Sequence, residues 1–151
     1  MKTLPVSFNE AIEQSVKKYW NRNALSDYGE ITFQYKDAAR IIAKLHILFE
    51  ETGIKKGDKI ALCGSNSSRW GMAFIATITY GAVAVPILPD FHPEQIHQIT
   101  NHSEARLFFA ADTTWKKTHA EELPNLIAIL GTEDYQLLYA SEAELQETRD
   151  S

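Results

Sequence analysis

Four groupings in this sequence have side-chain types that chemistry can use. The first is Gly64-Ser65-Asn66-Ser67-Ser68, a run of small residues between an apolar segment and an amphipathic one. A turn of this kind leaves backbone N–H groups free to meet an anion at a helix start. It is neither a Gly-x-Gly-x-x-Gly fingerprint nor a Walker loop, and serine or asparagine there serves equally to cap the helix. Capping is the expected role. The second grouping is His92, His97 and His102, spaced five apart. At about 100° per residue such positions are rotated by about 140° from one another, whereas a ligand pair on a helix needs i, i+3 or i, i+4. No cysteine or second acidic cluster completes a coordination shell, so solvated or capping histidines are expected.

The third concerns nucleophiles. Cys63 is the only cysteine, and it falls in an apolar run that reads as a buried strand; no Gly-x-Ser-x-Gly elbow occurs. The fourth is Lys55, Lys56 and Lys59 beside Asp58, which could attract a phosphate but reads first as a charged turn. Glu50-Glu51 and Glu121-Glu122 sit where amphipathic helices meet solvent, as ordinary surface charge. Trp70, Met72 and Phe74 could line a groove, although a near-continuous apolar helix is more often core. No residue of this chain is therefore assigned a catalytic, cofactor-binding or metal-ligating role.

These residues hang on a legible series of elements. Ser7-Phe8-Asn9-Glu10 reads as a capping box, and Phe8, Ile12, Val16 and Tyr19 continue at helical spacing to a helix end near Trp20. Ala24 to Tyr35 reads as a small β-hairpin around Asp27-Tyr28-Gly29-Glu30, with Ile31, Phe33 and Tyr35 alternating against Thr32 and Gln34. Ala38, Ile41, Ile42, Leu45, Leu48 and Phe49 trace one helix face, and Gly53 stands at the expected left-handed cap. Strand and helix then alternate: a strand at Ile60–Cys63, a helix through Trp70 to Gly81, and a strand Val83–Leu88 whose Pro86 belongs near an end or on an unpaired edge. A helix from Pro93 to about Asn101, a strand Leu107–Ala110, a helix from Thr114 to Leu123 and a strand Leu126–Leu130 complete the series.

This alternation predicts an α/β fold of parallel strand-helix-strand units with helices on both faces, preceded by a helix and a small β-hairpin. Residues 1–131 read as one subdomain, and 132–151 as an acidic, weakly patterned tail, expected to be a frayed helix. The 151 residues, 44% of them hydrophobic, suffice for one core. A net charge of -5 with scattered lysines and arginines excludes a basic nucleic-acid footprint. The amino terminus lacks a signal-peptide pattern, and no long charge-free apolar run reads as a membrane span. With its single cysteine, the chain is expected in the cytoplasm.

Taken in order, four stretches resemble the opening of the adenylate-forming superfamily, which includes the AMP-forming acyl-CoA synthetases. Ile31-Thr32-Phe33-Gln34-Tyr35 looks like its Leu-Thr-Tyr strand, and Gly53 with Gly57-Asp58 and Ile60-Ala61 looks like its Gly-x-x-x-Gly-Asp-x-Val-Ala entry to the first core strand. Asn66 and Trp70 match its Asn-x-x-x-Trp helix start, and Gly81 to Pro86 its Gly-Ala-Val-x-Val-Pro strand. Asn101-His102-Ser103-Glu104-Ala105-Arg106 is further similar to a run often seen in long-chain fatty-acyl members.

The resemblance implies the first part of the large domain of an adenylate-forming enzyme. Its parent would be a ligase that activates a carboxylic, here fatty, acid with ATP and Mg2+ and passes it to coenzyme A. The family's Ser/Thr/Gly-rich loop ending in Pro-Lys-Gly, its Tyr-Gly-x-Thr-Glu segment, its ribose-binding aspartate and the lysine of its small domain have no counterpart here. The chain is thus expected to be an inactive amino-terminal fragment that binds none of these cofactors itself. Its partner is then the remainder of the parent chain, with a homodimer expected through an exposed edge or apolar patches. Two other readings stay open: a flavodoxin-like nucleotide or small-phosphate binder resting on Gly64 to Ser68, and an association or scaffold domain.

Overall fold

The computed structural model describes residues 23–26, 32–64 and 67–141. A two-stranded antiparallel ribbon, β1 (Asn23–Ser26) with β2 (Thr32–Gln34), leads into helix α1 (Tyr35–Glu51). Then follow β3 (Lys59–Cys63), α2 (Ser68–Tyr80), β4 (Val83–Ile87), α3 (Pro93–His102) and β5 (Leu107–Ala110). A single-turn helix α4 (Asp112–Trp115), a 3-10 turn at Ala120–Glu122, β6 (Ala128–Gly131) and β7 (Leu137–Ala140) close the order. The main sheet runs β4-β3-β5-β6-β7, with the first four strands parallel and β7 antiparallel to β6.

Strand side chains alternate between faces, and this sheet fills both. Ile60, Leu62, Leu107, Phe109, Ala128 and Leu130 meet Leu45 and Phe49 of α1 and Ala73 and Ala76 of α2. Their neighbours Ala61, Cys63, Phe108, Ala110 and Ile129 meet Ile96 of α3 and Leu123. Every residue of β5 and β6 is buried, so these strands read as continuous apolar runs. Phe49, Phe108 and Phe109 are fully buried, each removing apolar surface that stabilises by roughly 1.5–3 kcal/mol. Pro86 lies on β4, the edge strand, in register with Leu62. Val83 N–H donates inward to Asp58 at 2.8 Å, so the alternation turns position 86 outward, where a missing donor costs the ladder nothing.

Each helix carries a physical start and stop. Asp37 accepts from the backbone N–H of Gln34 at 3.1 Å at the entry to α1, and Gly53 just past its end has φ +80°. Ser67 caps α2, its Oγ accepting from Trp70 N–H at 3.1 Å, and Gly81 ends it with φ 99°. Pro93 opens α3 at its first turn. Between α1 and α2, His46 Nε2 lies 3.0 Å from the carbonyl of Ala76 and 2.9 Å from Thr79 Oγ1. Tyr80 Oη donates to the carbonyl of Ile54 at 2.8 Å.

The departures from the sequence reading have local causes. The expected helix over Ser7 to Trp20 lies outside the described residues. Tyr35 begins α1 and does not end the hairpin strand, because the cap falls at Gln34. The helix expected over Thr114 to Leu123 stops after one turn and resumes only as the 3-10 turn, because His119 there adopts an extended conformation, with ψ 98°. Of the acidic stretch expected as a frayed helix, Leu137–Ala140 instead forms β7, whose alternate residues pair with the free edge of β6.

Two outcomes follow from this packing. Gly81→Ala should cost about 1 kcal/mol or more, since its φ is left-handed and an added Cβ would stand 3.0 Å from Lys56 Cγ. Gly71→Ala, inside α2 with nothing within 4 Å, should instead stabilise by about 0.5–1 kcal/mol. Urea unfolding of both variants checks the opposite signs. At His46, burial lowers the pKa and the bond to Ala76 opposes that only in part. The unfolded chain therefore holds the proton more tightly, so this contribution is complete above about pH 6.5 and is lost as pH falls through the lowered folded value. His46→Gln should flatten the slope of Tm against pH below that point; an unchanged slope would contradict it.

Candidate functional site

After β3 the chain turns toward the α1–α2 face, and after β5 toward the α3 face. Adjacent strands whose connections diverge leave a crevice at their carboxyl ends, the usual place for a ligand in an open α/β sheet. Gly64 forms its floor, where an added Cβ would stand 3.1 Å from Ala111 Cβ and 3.7 Å from both Thr132 Oγ1 and Trp70 Cδ1. The absent side chain lets the two strand ends approach. Trp70 Nε1 is buried there and meets no acceptor among the described residues.

The rim of this crevice is acidic. Glu133 Oε1 accepts from Asp112 N–H at 3.1 Å, and Asp134 Oδ1 accepts from Gln136 N–H at 3.0 Å. Two backbone donors of these neighbouring loops are thus paired with carboxylates, which bring negative charge to this side of the crevice. In the turn itself, Ser65 and Asn66 lie outside the described residues, while Ser67 serves as the cap of α2. The described part of the turn thus acts as a helix start.

The three histidines do not converge. His92 is exposed at the start of α3, its backbone N–H donating to Gln95 Oε1 at 3.0 Å, and His102 is exposed at the other end. His97, expected to be solvated or capping, is instead buried. Its Nε2 accepts from the N–H of His119 at 3.2 Å, which leaves Nδ1 to donate to Glu122 Oε2 at 3.0 Å. Asn101 Nδ2 adds a bond to the carbonyl of Glu122 at 2.7 Å. His97 and Asn101 together fasten the 3-10 turn to α3. Periodicity alone could not show this, because the partner backbone lies about a score of residues away. Among the described residues no group of three or more His, Cys, Asp or Glu could hold a metal ion.

Cys63 is fully buried, 3.6 Å from Thr114 Oγ1. Burial pushes its thiol pKa up, against smaller lowering effects from Thr114 and Lys117, so little of the reactive thiolate forms. Lys55 and Asp58 close a turn, with Lys55 N–H donating to Asp58 Oδ2 at 2.8 Å, and Lys56 and Lys59 are exposed beside it. Glu50 and Glu51 are exposed, while Glu121 lies 3.6 Å from His119 Nδ1. Met72 is core, and Trp70 stacks on Phe74 with ring centres 5.4 Å apart against that core.

Tyr135 carries no sequence signal and proves the best-placed side chain near the crevice. It sits at φ 58°, donates through its hydroxyl to the carbonyl of Arg69 at 2.7 Å, and packs its ring under the Arg69 guanidinium, 5.9 Å away. It ties the loop after β6 to the start of α2. Ser67→Ala should lower stability by about 1 kcal/mol, read by urea unfolding; no loss would remove its capping role. Cys63 should resist alkylation in the folded chain and react fully in denaturant, and rapid labelling of the native protein would contradict its burial.

The signature of the AMP-binding enzymes matches residues 12–150. The putative acyl-CoA ligase YdaB of Bacillus subtilis is 29% identical over 119 residues, which take in 78% of this chain and 23% of that protein. A long-chain-fatty-acid–CoA ligase of Escherichia coli is 29% identical over 99 residues, 66% of this chain and 18% of that one. The crystal structure of a long-chain-fatty-acid-CoA ligase from Archaeoglobus fulgidus shares the fold, with a TM-score of 0.76 at 19% identity over 100% of this chain and 31% of that chain. The chain spans less than a quarter of these two curated relatives. By the length of the signature it carries, this chain belongs to the family of AMP-binding enzymes.

Proposed function

We propose that this chain is the amino-terminal part of the large domain of an acyl-CoA ligase that works through an acyl-adenylate, with a fatty acid as its carboxylate substrate. The observation that carries this reading is the family signature over residues 12–150 together with the small share of each ligase relative that the chain covers. The run Asn101 to Arg106 and the fatty-acid–CoA ligases among the relatives favour the fatty acid. The opening α/β subdomain, expected over residues 1–131, then extends to take in β7, and the acidic stretch through 151 leads toward the remainder of the parent.

In that reaction a carboxylate displaces pyrophosphate from ATP, and the thiol of coenzyme A then displaces AMP. The departing negative charge calls for magnesium and cationic donors. Among the described residues no group of three or more His, Cys, Asp or Glu could hold a metal ion, and the described crevice residues already cap a helix or join loops. No step is assigned to them. Their role is to hold a rigid sheet and its helices, onto which the catalytic groups of the parent are built.

The same reading places the parent in the cytoplasm, without nucleic-acid partners, and expects the isolated chain to self-associate through an exposed edge or apolar patch. Among the described residues no helix is long and apolar enough to cross a membrane. Calorimetry of the isolated chain with ATP, AMP, FMN and coenzyme A should give no micromolar binding; affinity for any of them would favour a nucleotide-binding domain instead. In the parent, long-chain acids should drive pyrophosphate release at a higher kcat/KM than acetate or aromatic acids, and the reverse order would sink the fatty-acid assignment.

A further inference from the structure

One imidazole joins α3 to the connector that runs from β5 to β6. His97 is 6% exposed, and both of its ring nitrogens are used. The backbone N–H of His119 donates to Nε2 at 3.2 Å, so Nε2 offers a lone pair; Nδ1 then carries the hydrogen that it gives to Glu122 Oε2 at 3.0 Å. Only the neutral ring with its hydrogen on Nδ1 makes both bonds.

A second proton removes one bond and not the other. It would sit on Nε2, against the amide hydrogen of His119, so that contact must break, while the bond to Glu122 stays and gains charge. The connector is the side that gives way. His119 and Lys116 are exposed, whereas α3 is anchored by Ile96 and Thr100, each 1% exposed. Other titratable groups also face His97. Glu94 and His102 of α3 line the same groove, and the His119 ring stands edge-on to that of His97, with centres 5.8 Å apart and Glu121 Oε1 3.6 Å from its Nδ1. The remaining charges of the connector are engaged elsewhere: Lys116 pairs with Asp112 at 3.1 Å, and Lys117 Nζ donates to the carbonyls of Pro89 and Phe91 at 3.0 and 3.4 Å.

We propose that His97 is a pH-operated latch: neutral, it holds His119 to α3; protonated, it releases His119 and keeps Glu122, so that residues 116–119 loosen. The contact is present above the range in which histidines titrate and is lost as pH falls through it. Asn101, which donates to the carbonyl of Glu122 at 2.7 Å, and the buried Leu123 keep the 3-10 turn in place meanwhile. The latch does not depend on the reaction proposed above.

Nuclear magnetic resonance of the wild-type chain at about pH 8 and about pH 5.5 tests it. At the upper pH the ring nitrogens of His97 should show the hydrogen on Nδ1. On acidification the exchange protection of the His119 amide should drop by about tenfold, the worth of one hydrogen bond, in step with titration of the His97 ring, while the amides of β5 and β6 keep theirs. His97→Gln, whose side-chain carbonyl and amide can take both roles without titrating, should leave His119 protected at both pH values. His119→Gln, which keeps the backbone N–H and removes the second titrating ring, should show the same drop as wild type. A hydrogen on Nε2 at the upper pH, equal protection of His119 at both pH values, or a drop that persists in His97→Gln or disappears in His119→Gln overturns the latch. The two wild-type readings decide the matter even where a variant fails to fold.

Discussion

The structure depends on one constraint: β3, β5 and β6 must be apolar on both faces at once. Parallel strands joined by crossovers are covered above and below, so Ile60 to Cys63 of β3 and every residue of β5 and β6 lie under a helix or loop on one side or the other. Leu107 and Phe109 belong to one core and Phe108 and Ala110 to the other, within four consecutive residues. A slip of one residue in the register would exchange the two sets and misfit both layers. A string of aromatic contacts crosses one layer from Tyr80 to Phe49, Phe109 and Tyr135, at centroid distances of 5.4, 6.2 and 6.2 Å. Helix, strand and loop are thereby fixed relative to one another.

Most of this was legible where a local rule decides the outcome. The glycines at 53 and 81 mark helix ends because their left-handed φ suits few other residues, and Pro93 marks a helix start because its missing donor is not needed there. Pro86 pointed to a strand end or an unpaired edge, and β4 is an edge strand. The failures are places where a distant partner decides. Leu137 to Ala140 has no strong strand pattern of its own, and it becomes a strand because β6 offers an open ladder. His97 looked like a solvated residue until the fold brought His119 and Glu122 to it.

The candidate sites divide the same way. Gly64 to Ser68 suggested either a phosphate turn or a cap, and the bond from Trp70 N–H to Ser67 gives the cap its physical content. The carboxylates of Asp112, Glu133 and Asp134 come from two loops far apart in sequence, so composition alone did not reveal them beside the crevice. A sheet whose described crevice residues already cap a helix and join loops is consistent with a scaffold onto which catalytic segments are added. That is the division of labour proposed here for an acyl-CoA ligase.

The most direct measurement is ATP–pyrophosphate exchange with a long-chain fatty acid, run side by side on the parent ligase and on this chain of 151 residues. The account predicts acid-dependent exchange by the parent and none above background by the chain alone. Exchange catalysed by the isolated chain, or its absence from the parent, would contradict it.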